Sequence, residues 1–152
     1  MKIFVFRPQV VLDRTCEEEE RLLLHMASIQ HELAGKDHEI ARTTGERKAT
    51  LQVMTETQRE HFDVEEVYQQ RLHLDALDVL LARLHDERAA IQQRLDAARN
   101  AVIETMRKRK VLEKLRATHF AAYRKEVEKQ ELQVMEDAKL PQFARERMEK
   151  AM

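Results

Sequence analysis

Residues 77–102 read LDVLLARLHDERAAIQQRLDAARNAV, without a glycine or a proline. Leu77, Leu81, Leu84, Arg88, Ile91, Leu95, Ala98 and Val102 recur at alternating steps of four and three. That spacing keeps one face of an α-helix apolar and averages the 3.5-residue repeat of a coiled coil. Such a face needs a partner. The phase of this series slips near Met106, as at a stutter, and Leu112, Leu115, Phe120, Tyr123, Val127 and Val134 carry it on.

Upstream, the same stepping from Leu12 selects Cys16, Glu19, Leu23, Met26, Gln30, Leu33, Asp37, Ile40, Thr44, Arg47, Leu51 and Met54. One of its two positions is mostly apolar and the other often polar, so this seam is thin. Pro8 suits a first helical turn, and Pro141 disfavours helix at Leu140. Gly35 and Gly45 stand outside any turn cluster and read as glycines inside a helix, each costing ~1 kcal/mol relative to alanine.

A single helix of roughly 130 residues would be nearly 200 Å long and would leave its seam open. Folding back closes the seam, and capping chemistry marks two places for the turn. Asp63-Val64-Glu65-Glu66 resembles a capping box, with Phe62 and Val67 placed as a hydrophobic staple. Asp75-Ala76-Leu77-Asp78, flanked by Leu74 and Val79, is a weaker box. The scarcity of apolar residues between Thr55 and Glu66 favours the first. The expectation is an all-α, rod-shaped, antiparallel two-helix coiled-coil hairpin with the longer helix second. Helix one spans about 8–58, the turn about 58–63, helix two about 64–139, and a tail covers 140–152.

Composition agrees. Ala, Glu, Lys, Leu and Arg supply just over half of the 152 residues, and charged residues reach 36%. With two glycines, two prolines and no tryptophan, the chain lacks the turns that a sandwich, barrel or Rossmann domain requires. The formal net charge of −1 gives no general attraction to nucleic acid or membrane. A lone Cys16 suits a reducing compartment, and the apolar run Ile3-Phe4-Val5-Phe6 is too short for a signal core or a membrane span. The cytoplasm is the expected location.

Catalytic and metal chemistry find little support. His25, His31 and His38 are spaced by six and seven residues, whereas a helical metal pair needs three or four. No glycine-rich phosphate loop is present, and a two-helix hairpin offers no concave site for paired carboxylates. The expectation is a protein that is not an enzyme and holds no metal or cofactor.

Two features suggest protein binding. The basic run Arg107-Lys108-Arg109-Lys110, extended by Lys114 and Arg116, is either a solvated face or a docking surface for an acidic partner. No aromatic residues interleave with it, so nucleic acid is not the expected partner. With the turn near Asp63, helix one ends before it can cover Phe120, Tyr123 and Val127. They then form an apolar stripe without a partner in the chain, as protein-binding surfaces do. With the turn at Asp75 they are ordinary seam residues.

The opening Phe4-Val5-Phe6-Arg7-Pro8-Gln9-Val10-Val11-Leu12, followed by Glu17–Glu20, resembles the start of flagellar FliJ-family proteins. Lys110-Val111-Leu112-Glu113-Lys114-Leu115, Tyr123-Arg124-Lys125-Glu126 and the stretch from Glu131 to Ala138 resemble that family's second helix, and Tyr68-Gln69-Gln70 its start. The resemblance implies a cytoplasmic, non-catalytic stalk of the flagellar type III export apparatus, peripheral to the inner membrane and not inserted in it. It implies three partners: the hexameric export ATPase, the export gate membrane protein FlhA, and export chaperones. The end carrying the termini would meet the ATPase through Arg107, Lys108, Arg109, Lys110, Lys114, Arg116, Phe120, Tyr123 and Val127. The tip, with Tyr68 and Leu72, would meet the gate. The equivalent stalk of a virulence injectisome and a self-associating coiled-coil scaffold are the alternatives.

Overall fold

The computed structural model describes residues 2–152. Among these, two helices account for nearly all of the chain: α1, Gln9–Glu60, and α2, Val64–Ala151. They form an all-α antiparallel helical hairpin. The Phe6 and Pro8 carbonyls accept from the Gln9 and Leu12 amides, each at 3.0 Å, and so start α1. The break falls at residues 61–63. There the Asp63 side chain accepts from the Glu65 amide at 3.1 Å while its carbonyl accepts from the Val67 amide, also at 3.1 Å. Asp63 is therefore the N-cap of α2. Phe62, placed by the sequence as a staple, stays 67% exposed.

The helix bounds correct one expectation. α2 does not end before Leu140 but continues through Pro141 to Ala151. A proline in a helix leaves the carbonyl four residues earlier without its donor. Here that carbonyl belongs to Asp137, an exposed residue that water can reach. The strong helix formers from Ala144 to Ala151 then continue the helix.

The described chain divides into two compact units. In the first, Glu18–Glu104, the helices bury Ile29, Ile91, Leu95 and Ala98 as one cluster, with Met26 and Leu33 packed against it. Ion pairs border this seam. Arg94 pairs with Glu32 at 2.9 Å, Arg88 with Asp37, Lys36 with Glu87 at 2.7 Å, and Arg47 with Asp78 at 2.5 Å. From Glu32 through the neighbouring Lys36 and Asp37 to Arg47 the α1 numbers rise, while their partners fall from Arg94 through Glu87 and Arg88 to Asp78, which is the antiparallel order. All four lead to the break at 61–63.

The burial pattern also corrects the seam of α1. The covered α1 positions in this unit are Glu19, Leu22, Met26, Ile29, Leu33, Lys36, Ile40, Thr43, Arg47, Thr50, Met54 and Thr57. The repeat from Met26 through Leu33, Ile40 and Arg47 to Met54 is as read from the sequence. The positions between fall one residue earlier, at Ile29 rather than Gln30 and at Lys36 rather than Asp37. Leu23 and Leu51 are 40% and 38% exposed, while Ile29 is 2% exposed. Energetics favours this register: it packs isoleucine instead of a glutamine amide. It also covers the aliphatic stem of Lys36 and leaves the Asp37 carboxylate at the edge for Arg88.

Toward the break the seam turns polar. The hydroxyls of Thr43, Thr50 and Thr57 donate to the carbonyls of Glu39, Glu46 and Val53 at 2.8–2.9 Å, so each is satisfied by its own helix. Gln70 Oε1 is buried there without a hydrogen-bond partner.

The second unit joins the N-terminal segment through Glu17 to Thr105–Met152. Phe6 and Leu12 are buried in it. Thr105 is buried, and Arg109 and Leu112 are half-buried at steps of four and three. The slip expected near Met106 is therefore absent: a threonine and the stem of an arginine occupy positions that a search for apolar residues skips. Every residue from Glu128 to the end of the described chain is exposed.

Candidate functional site

Residues 2–6 precede the first helix, and their aromatic and aliphatic side chains alternate. Ile3 and Val5 point to solvent, 85% and 75% exposed, while Phe4 is half-buried and Phe6 is 6% exposed. An extended chain sends successive side chains to opposite sides, so Phe4 and Phe6 both reach α2.

There they meet three aromatic side chains. The Phe4 ring lies edge-on to Phe120, with centroids 5.2 Å apart at 77°, and tilted against Tyr123 at 5.4 Å. Phe6 meets His119 edge-on at 5.6 Å. The Tyr123 hydroxyl donates to the Lys2 carbonyl at 2.6 Å. These edge-to-face and tilted geometries are the ones aromatic pairs prefer.

This strap corrects the expectation that Phe120, Tyr123 and Val127 lack a partner within the chain. α1 does end before it can cover them, but the segment preceding α1 covers them in its place. The cover is partial. Phe120 keeps 45% of its surface exposed, and Tyr123 and Val127 are half-buried. Phe4, Phe6 and His119 are site residues that the sequence reading missed. The signal available for the two phenylalanines was the two-residue alternation of Ile3 to Phe6, and none pointed to His119.

Of the basic run, Arg107, Lys108, Lys110, Lys114 and Arg116 are exposed. Arg109 is half-buried and hydrogen-bonds to Glu113 at 2.8 Å. Arg116 and Phe120 line a cavity of about 280 Å³ with Phe4, Glu113 and Ala117. Arg107 and Lys108 border a separate apolar groove floored by Val11, Val111 and Leu112. Near the break, Tyr68 and Leu72 sit one turn apart on α2, 62% and 51% exposed. Among the described residues, no three His, Cys, Asp or Glu side chains converge where they could hold a metal ion. No helix among them is long and apolar enough to cross a membrane.

Two antiparallel helices and an aromatic strap, with cations along the second helix, define an all-α helical hairpin. A family model described as Flagellar FliJ protein matches residues 6–148, and the chain belongs to that family. It is thus an export-related flagellar component, of a family that is non-catalytic. No curated protein and no solved structure matches the chain.

Proposed function

We propose that this protein is a stalk-like component of the flagellar type III export apparatus. It binds the ring of the export ATPase and couples that ring to the export gate protein FlhA and to export chaperones, in the cytoplasm at the inner membrane. In this reading it performs no chemistry of its own. A single asymmetric helix pair within a hexameric ring contacts the six subunits unequally. It thereby favours some subunit states over others, as any ligand with differential affinity does.

The observation that carries the reading is the pairing, in one unit, of a half-exposed aromatic stripe with an exposed cationic run. Apolar anchors supply affinity, and rim charges supply orientation and association rate. Phe120, Tyr123 and Val127 take the first role. Arg107, Lys108, Lys110, Lys114 and Arg116 take the second, with Arg109 among them. Tyr68 and Leu72, exposed beside the break, are the proposed contact for the gate.

The test is stimulation of the purified export ATPase by the wild-type chain and two variants. Phe120→Ala combined with Tyr123→Ala should lower binding and stimulation while circular dichroism stays that of the wild type. Lys108→Glu combined with Lys110→Glu should slow association and flatten its salt dependence. Unchanged stimulation by the aromatic double variant would remove the stripe from the interface.

A further inference from the structure

The N-terminal strap creates a feature that α2 alone lacks. Glu113, Arg116, Ala117 and Phe120 lie three and four residues apart, so they share one helical face. Ala117 leaves a gap on that face between Phe120 and Glu113. Phe4, held against Phe120 by its edge-on contact, closes one side of the gap and makes the cavity of about 280 Å³. This is at or below the smallest volumes of small-molecule pockets, about 300 Å³. It suits one inserted side chain better than a cofactor.

The charges at the rim are unequal. Glu113 is engaged by Arg109 at 2.8 Å. Arg116 is exposed and has no carboxylate partner among the described residues. A free guanidinium beside an aromatic cavity is complementary to a carboxylate that follows or precedes an apolar side chain. It can engage both carboxylate oxygens at once.

We infer that this cavity is a socket for one aromatic or branched apolar side chain, presented by a partner protein next to an aspartate or glutamate that Arg116 engages. The inference rests on the proposed ATPase contact and adds the chemistry the partner must display. It also gives Phe4 a part in binding beyond holding the strap down.

Two measurements test it. In the first, the capped tetrapeptides Gly-Phe-Asp-Gly and Gly-Phe-Lys-Gly are titrated into the isotope-labelled full chain, and the resonances of Phe4, Phe120 and the Arg116 guanidinium are followed. The aspartate peptide should shift all three and bind at least about threefold more tightly than the lysine peptide. Arg116→Glu should reverse that preference, and Phe4→Ala should abolish the shifts. Equal binding of the two peptides, or shifts elsewhere only, would overturn the socket.

In the second, the affinity of the export ATPase for the wild-type chain is compared with that for Arg116→Glu and Phe4→Leu. The first variant should weaken binding about five- to tenfold, and the second, which keeps an apolar wall, less. Should the ATPase not bind the wild-type chain, the proposed function fails and the peptide titration alone decides the socket. Should the ATPase bind wild type and Arg116→Glu equally, the socket is overturned while the proposed function stands.

Discussion

The Tyr123 hydroxyl donates to the Lys2 carbonyl at 2.6 Å, tying the first described residue of the chain to the C-terminal half of the second helix. The Phe4 ring packs against the same tyrosine. The bond and the ring contact therefore hold one strap from two sides. Tyr123→Phe keeps the ring and removes the donor, and at this half-buried site it should cost about 1 kcal/mol. Phe4→Ala removes ring contacts and should free the strap more completely. Backbone 15N order parameters across residues 3–6 should fall in the order wild type, Tyr123→Phe, Phe4→Ala. Equal order parameters in all three would show that neither contact holds the segment.

The register of α1 makes a sharp distinction between neighbouring side chains. Ile29 is 2% exposed in the cluster with Ile91 and Leu95, whereas Leu23 is 40% exposed. Ile29→Ala should destabilise the fold by about 2–5 kcal/mol. Leu23→Ala should cost about 0.5 kcal/mol or less. Urea unfolding followed by circular dichroism measures both. A larger loss for Leu23→Ala would restore the register read from the sequence.

Gly35 and Gly45 stand inside α1 without a left-handed backbone, and a Cβ added at either would meet nothing within 4 Å. Nothing in the fold requires glycine there. Gly35→Ala and Gly45→Ala should each stabilise by about 0.5–1 kcal/mol, through helix propensity and a less flexible unfolded chain. The two sites are roughly 15 Å apart along the axis, so their effects should add. Melting temperatures of the two single variants and the double variant test both points.

The Lys36–Glu87 pair sets an acid limit. The Lys36 ammonium, then the Arg83 guanidinium, hold the Glu87 carboxyl below its ordinary value of 4.5. Glu87, and secondarily Glu39, raise Lys36 above 10.5 against the opposing effect of its own burial. A carboxyl depressed in the folded state stabilises above its unfolded value, and that stability is lost as the pH falls from about 4.5 through the folded value. A lysine raised in the folded state stabilises below its unfolded value, and its contribution is lost as the pH rises beyond 10.5 through the folded value. The pair should therefore contribute evenly between these limits. Glu87→Gln should lower the melting temperature at pH 7 and reduce the further fall on acidification from pH 5 to pH 3. An acid profile identical to that of the wild type would assign the acid sensitivity to other carboxylates.

The sequence by itself determined what depends on neighbours along the chain. The apolar repeat from Leu77 to Val102 specifies a helix with one sticky face because helical geometry places every third or fourth residue together. Asp63 marks the start of α2 because its short carboxylate can cap the amide two residues on. The near-absence of glycine and proline leaves both helices long. The resemblance carried by residues 4–12 and 110–115 led to the family that the match over residues 6–148 shows.

Only the tertiary structure decided the rest. Between Leu22 and Leu24 three leucines stand in a row, and steps of three-then-four and four-then-three are equally helical. The choice belongs to the facing helix, whose Ile91, Leu95 and Ala98 take Ile29 into their cluster. Thr105 and Arg109 hold their positions through a hydroxyl-bearing side chain and a long alkyl stem, which no apolar count detects. The strap is the clearest case. Phe4 and Phe120 lie far apart in sequence, and nothing local to either encodes the other. They meet because their unit packs the segment that precedes α1 alongside α2, and packing the two rings edge to face lowers the free energy of both.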